Sequence, residues 1–181
     1  MGLALVLLLA GGPSQAQVAP AEYIGLSAER LGAARELVAT IGAADQLTSL
    51  IPRVMQIVKR DLVQGRPPVE KDFDAASPPM LDGLSARIPE FAETIARSYA
   101  WTFATRQLRE INAFYLTPVG QKMRQNPAMR DKTVLLSRDL QQKLATAQRL
   151  NKQAQVKIGK AMADELRRRM TEELRKQGHD V

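Results

Sequence analysis
The feature that most constrains this chain is a stretch of 49 residues, 128–176, with no proline and a single glycine, Gly159. An apolar stripe runs through it: Leu136, Leu140, Leu144, Ala147, Leu150, Ala154, Ile158, Met162, Leu166, Met170 and Leu174. Steps of three and four place these residues on one helical face. As a single straight helix the stretch would reach about 73 Å at ~1.5 Å per residue, whereas a compact domain of this size is only about 40 Å across. The reading is therefore a long basic helical segment that either breaks near 151–159, in the polar Asn151-Lys152-Gln153 stretch or at Gly159, or projects. A projecting stripe would need a partner, so homo-oligomerisation through this segment is an expectation.

The rest of the chain also reads as helix. Leu31, Ala34, Leu37, Val38 and Ile41 recur at helical spacing behind Ser27 as N-cap, and Gly42 ends that element. A second stripe passes from Leu47 through Val54 and Val58 to Leu62, with Pro52 expected to kink it or to shift its start toward Ser49. Residues 64–79 hold four prolines without a regular period and read as a loop. Helical pattern resumes at Met80, with Pro89 opening a new first turn. Tyr99 to Phe103 alternates as a strand would. With no strand to pair with, it reads as a helix end plus a connection.

The most informative window is residues 103–123. Thr105 is placed to cap a helix whose inner face is Leu108, Ile111 and Phe114 or Tyr115. Thr117-Pro118 then stops that helix and starts the next, Thr117 as N-cap and Pro118 at the first position, where a missing N–H is harmless. Gly120 lets a neighbouring backbone come close. The pattern Phe114-Tyr115, one residue, Thr117-Pro118, one residue, Gly120, then Gln121-Lys122 resembles the bacterial "domain of unknown function 2059" family. The likeness is strongest over residues 99–123 and extends from Arg35-Glu36-Leu37 onward. It implies an exported, all-helical protein and brings no catalytic residues. The family tends to carry acidic residues in the first turn of the box helix. Arg106 and Gln107 stand there instead, which leaves that helix start less well supported.

Charge is lopsided. Residues 1–115 carry 11 Lys and Arg against 12 Asp and Glu, and residues 116–181 carry 15 against 7, which together give the net +7 of the chain. The densest run, Arg167, Arg168 and Arg169, with Arg175 and Lys176, forms a candidate face for an anionic envelope component or another protein. A solvated helix face is the plainer alternative, since Asp164, Glu165, Glu172 and Glu173 are interspersed. Nucleic acid is not an expected partner, because no aromatic stacking residues lie near the run. Six of the eight aromatic residues, Phe91, Tyr99, Trp101, Phe103, Phe114 and Tyr115, fall within one short window. They read first as the core of the helical corner. A ligand pocket lined by rings, with the Tyr99 and Tyr115 hydroxyls pointing in, is the alternative.

Little catalytic chemistry remains. With no cysteine and one histidine, the chain lacks a thiol nucleophile, a thiolate metal site and any two-histidine metal motif. A serine–histidine triad would have to use His179, near the C-terminus, where chains usually fray. Glu90/Glu93 and Asp72/Asp74 are spaced for acid–base work but read as solvated. No catalytic residue, metal or cofactor is expected.

An export signal completes the reading. Residues 3–10, Leu-Ala-Leu-Val-Leu-Leu-Leu-Ala, have the length of a signal core rather than of a membrane span. Gly11, Gly12 and Pro13 break it, and Ser14-Gln15-Ala16 offers a cleavage site, although no Lys or Arg precedes the run. The expectation is a signal peptide over residues 1–16 and one domain over 17–181, an all-α bundle of five to six helices. Its place is periplasmic or secreted, in a bacterium. Its expected role is non-enzymatic binding or interaction in the envelope. A small-molecule binder using the aromatic cluster comes second and a hydrolase-type enzyme third.

Overall fold
The computed structural model describes residues 25–126 and 136–181. The proposed signal peptide lies outside the described residues. Among those described there is no strand, and eight helices follow in order: α1 (Ala28–Thr40), α2 (Ala43–Thr48), α3 (Ile51–Val63), α4 (Pro67–Ala86), α5 (Ile88–Thr102), α6 (Thr105–Leu116), α7 (Pro118–Gln125) and α8 (Arg138–Lys176). Six of them run 12 residues or more, and two, α2 and α7, are short connectors. The all-α bundle is as expected. No described helix is long and apolar enough to cross a membrane.

The punctuation residues set most of the boundaries. Ser27 Oγ accepts the Arg30 N–H and caps α1. Gly42, at φ 68°, turns the chain into α2. Pro52 does not kink a long helix. It sits in the first turn of α3, so the Leu47–Leu62 stripe is divided between two helices, and Pro89 does the same for α5.

Two expectations about the chain's breaks are corrected. Residues 64–79 are not a loop: beyond a short turn at Gln64 and Gly65, α4 runs through Pro78 and Pro79. Proline disfavours a helix interior because it removes a hydrogen bond and crowds the preceding turn. Here both prolines face solvent, so the carbonyls they leave unpaired can be hydrated. The opposite face buries Val69, Phe73 and Leu84, and that packing overrides local propensity.

The second correction concerns α8, which is unbroken through 151–159. Its 39 residues span about 58 Å at ~1.5 Å each. The bundle accommodates that length by packing different helices along it. Near its start Lys143 is bound by Glu110 of α6 at 2.6 Å and by Asp139, and Tyr99 of α5 donates to the Ala147 carbonyl at 2.8 Å. Further along, Arg167 meets Asp61 of α3 at 2.8 Å. Past its end His179 meets Asp72 of α4 at 2.7 Å. The buried residues Ile158, Met162, Leu166, Met170 and Leu174 advance by strict fours. Each such step overshoots a full turn by roughly 40°, so the stripe winds round the helix where it packs on α3 and α4. His179 is therefore docked rather than frayed, held by its side chain and by its N–H on the Leu174 carbonyl at 3.1 Å.

Helix α1 packs on α5 and α6 beside this spine. Arg35 of α1 makes a two-pronged pair with Glu93 of α5 at 2.8 and 2.9 Å, and Arg109 of α6 reaches Glu29 at 2.9 Å. Tyr99, Phe73, Leu37, Ile95, Leu108 and Ile111 are among the fully buried side chains of one continuous core.

Candidate functional site
The corner between α6 and α7 is built as its residues require. Thr117 Oγ1 donates to the Phe114 carbonyl at 2.7 Å and accepts the Gly120 N–H at 3.1 Å. A Cβ added at Gly120 would lie 2.1 Å from the Phe114 oxygen and 2.7 Å from the Tyr115 Cα. The two chain segments therefore touch with no room for a side chain. Phe114 and Tyr115 meet edge to face with ring centres 5.5 Å apart. Thr105 is not the cap of α6. That position falls to Ala104, which has no capping oxygen, and Gln107 Oε1 reaches back to accept the Ala104 N–H at 2.9 Å. Gln107 thus supplies the support that the missing acidic residues would give.

Five of the six clustered rings are buried in the core, among them a stacked Tyr99–Phe103 pair with centres 6.1 Å apart. The sixth, Trp101, is 55% exposed at the end of α5.

The candidate anionic-partner face is largely occupied by the protein's own acids. Arg167 pairs with Asp61 and, at 3.5 Å, with Asp164. Arg168 is held between Glu165 and Glu172 at 3.1 and 2.9 Å, Arg169 pairs with Glu165, and Lys176 with Glu173 at 3.2 Å. Arg175 is bound to the Val181 main-chain oxygen at 2.8 Å. The Arg168 guanidinium holds the Glu165 carboxyl below its ordinary range, and Arg167 does the same to Asp61. The spaced carboxylates are similarly taken up: Glu90 by Arg87, Glu93 by Arg35 and Arg97, Asp74 by Lys59, and Asp72 by His179. They do not converge on a shared site.

The structure instead brings Tyr99 and Tyr115, the rings of the alternative ligand-pocket reading, and the polar pair Asn151 and Lys152 together with residues that sequence reasoning did not single out. A cleft of about 650 Å³ opens between the middle of α8 and the α1–α2 and α6–α7 corners. Its back wall includes Tyr99 and Tyr115, and its apolar sides include Ile41 and Met123. Arg124 crosses from α7 to donate to the Thr40 carbonyl at 2.6 Å, giving the C-terminus of α1 the cation it lacks within its own last turn. Along α8 the wall is Gln148, Arg149, Asn151, Lys152 and Gln155. Between Ala147 and Ile158 the stripe residues Leu150 and Ala154 are only partly buried against the core, and the adjoining face of α8 lines the cleft. The polar stretch that suggested a hinge is therefore part of a cleft wall.

The floor is a network of side-chain amides. Gln46 Nε2 donates to the Ile41 carbonyl at 2.8 Å, and Gln46 Oε1 accepts from Asn151 Nδ2 at 3.0 Å and from Gln155 Nε2. Asn151 Oδ1 is buried with no partner. The Tyr99 hydroxyl does not point in as an open donor, because it is spent on Ala147 and burial pushes its phenol well above the ordinary range. Among the described residues the lining contains three cations, Arg124, Arg149 and Lys152, and no carboxylate. Guanidinium and ammonium groups attract anions in general, and side-chain amides can orient them.

Fold and site together define an all-α bundle with a cationic, amide-floored side cleft. Residues 89–147 match the model of a family described as "Uncharacterized protein conserved in bacteria (DUF2059)". The match spans α5 to α7, the Thr117–Pro118 corner and the start of α8, and so covers the segment where the sequence resemblance is strongest. Comparisons with curated proteins and with solved structures gave no match.

Proposed function
We propose that this protein is a non-enzymatic binding module of the bacterial envelope and that its partner is anionic. The observation that carries this reading is the side cleft, where Arg149 and Lys152 face open volume with no acidic neighbour in the lining. Elsewhere on α8 the arginines of the 167–169 run are already paired. The chemistry of the lining supports binding over turnover. Guanidinium, ammonium and amide groups attract and orient an anion at neutral pH, whereas proton transfer calls for a group that titrates near it. The envelope assignment rests on the apolar run at residues 3–10 and the small residues after it.

The test is sedimentation of the protein with anionic cell-wall polymer and with anionic vesicles at low and high salt. Binding that is strong at low salt and weakened at high salt is the expected result. Absence of binding at both salt concentrations overturns the reading.

A further inference from the structure
Resting on that reading, we infer that the cleft between α8 and the α6–α7 corner is a subsite for the carboxylate end of an N-acylated amino acid or short peptide. Its volume, about 650 Å³, suits a compact organic ligand rather than a folded partner. Arg149 and Lys152 stand one turn apart on the same helix, at the spacing that puts two side chains side by side. Both are exposed, and neither forms an ion pair among the described residues, so an incoming carboxylate displaces no internal anion. A guanidinium fork binds a carboxylate through two parallel hydrogen bonds.

The floor narrows the chemistry further. The donors of Gln46 and Asn151 are partly committed within the amide network, whereas Asn151 Oδ1 accepts from nothing. A buried acceptor without a partner is satisfied by an N–H or O–H group. Sulfate offers acceptors only, and inorganic phosphate has no apolar part to place against the cleft's side walls. An acylated amino acid carries an N–H beside its carboxylate, and Ile41 and Met123 give its acyl part an apolar wall.

The experiment is calorimetric titration of the full chain with N-acetyl-dialanine, with the same peptide amidated at its C-terminus, and with inorganic phosphate. The free acid should bind roughly tenfold or more tightly than the amide, the effect of one charge-assisted contact. Phosphate should compete weakly. In R149A/K152A the preference for acid over amide should disappear, and in Asn151→Ala affinity for the acid should fall several-fold. R167A/R168A/R169A should bind the acid as the native protein does. A thermal melt of each variant, read by circular dichroism, establishes that the altered chains are folded. Equal binding of acid and amide, phosphate competing as well as the acid, or an unchanged preference in R149A/K152A overturns the assignment. If the acid fails to bind while salt-sensitive sedimentation with anionic polymer persists, the subsite is wrong and the envelope-binding reading stands. If both fail, both fall. Where the acid does bind, its displacement of the protein from the polymer marks the polymer as the source of the peptide end, and failure to displace marks soluble peptide.

Discussion

Gly120 lies against the carbonyl of Phe114 so closely that a methyl group on its Cα would come within 2.1 Å of that oxygen. Nothing at the corner can yield cheaply, because the neighbouring atoms are backbone and the Thr117 hydroxyl ties Phe114 and Gly120 to each other. Gly120→Ala should therefore destabilise the protein by about 2–4 kcal/mol, in the range of overpacked and strained substitutions. Urea denaturation followed by circular dichroism measures this as a lower midpoint. An unchanged midpoint would show that the corner opens freely.

Gly159 makes the opposite case. It stands inside α8 with open space where a Cβ would point. Gly159→Ala should raise stability by about 0.5–1 kcal/mol, because alanine restricts the unfolded chain and favours the helix. The same denaturation experiment reads the gain. A loss would indicate a turn at this residue and not a continuous helix.

Gly159 and Asn151 show how far the sequence carried. Apolar spacing, proline positions and the Thr117-Pro118 pair were enough to place the α6–α7 corner, the start of α5 and an all-helical core, while Pro52 left open whether one helix kinked or a second began. Pro78 and Pro79 misled because local propensity carries no information about Phe73 being buried on the far side of the same helix. Asn151-Lys152-Gln153 misled because a polar gap in an apolar stripe has the same sequence signature whether the chain turns there or lines a cleft. Gln46, Arg124 and Asn151 come from three separate helices, and only their meeting makes them a site. The traces visible in the sequence were the polar stretch Asn151-Lys152-Gln153 and the two rings Tyr99 and Tyr115.

Tyr99 joins α5 to α8 through its hydroxyl, and burial raises its pKa above the ordinary phenol value. A group whose folded pKa lies above its unfolded value adds stability that is complete below the unfolded pKa and is lost as pH rises through the folded one. Stability should accordingly decline above the ordinary tyrosine range, about pH 10. Tyr99→Phe should remove part of that decline while losing about 0.5–1.5 kcal/mol at pH 7, the worth of a neutral hydrogen bond. Melting temperatures across pH 7 to 11 report both effects. A Tyr99→Phe curve parallel to the native one would contradict the account.

The depressed carboxylates act at the other end of the scale. Arg35 holds Glu93 below its ordinary value, and Arg87 does so for Glu90. Such groups contribute stability that is present above the unfolded pKa and lost as pH falls through the folded one. The protein should lose stability progressively from the ordinary carboxylate range, about pH 4, downward. Glu93→Gln should flatten that loss, because it removes the tie between α1 and α5 at neutral pH. The check is a series of melts from pH 7 to 2.5. A flat native profile would mean that these pairs contribute nothing.

The paired arginines of α8 give a prediction by contrast. Arg167, Arg168 and Arg169 are engaged by Asp61, Glu165 and Glu172, so R167A/R168A/R169A should bind anionic polymer nearly as the native chain does. R149A/K152A should shift the salt at which sedimentation is lost to a lower value. The reverse order would return the partner face to the C-terminal run.

The most direct measurement is nuclear magnetic resonance of the side-chain amides while N-acetyl-dialanine is titrated in. The carboxylate subsite requires shifts concentrated at the NH2 groups of Gln46, Asn151 and Gln155, which share one network on the cleft floor. Shifts confined to residues 167–176, or none at all in a folded protein, would contradict it.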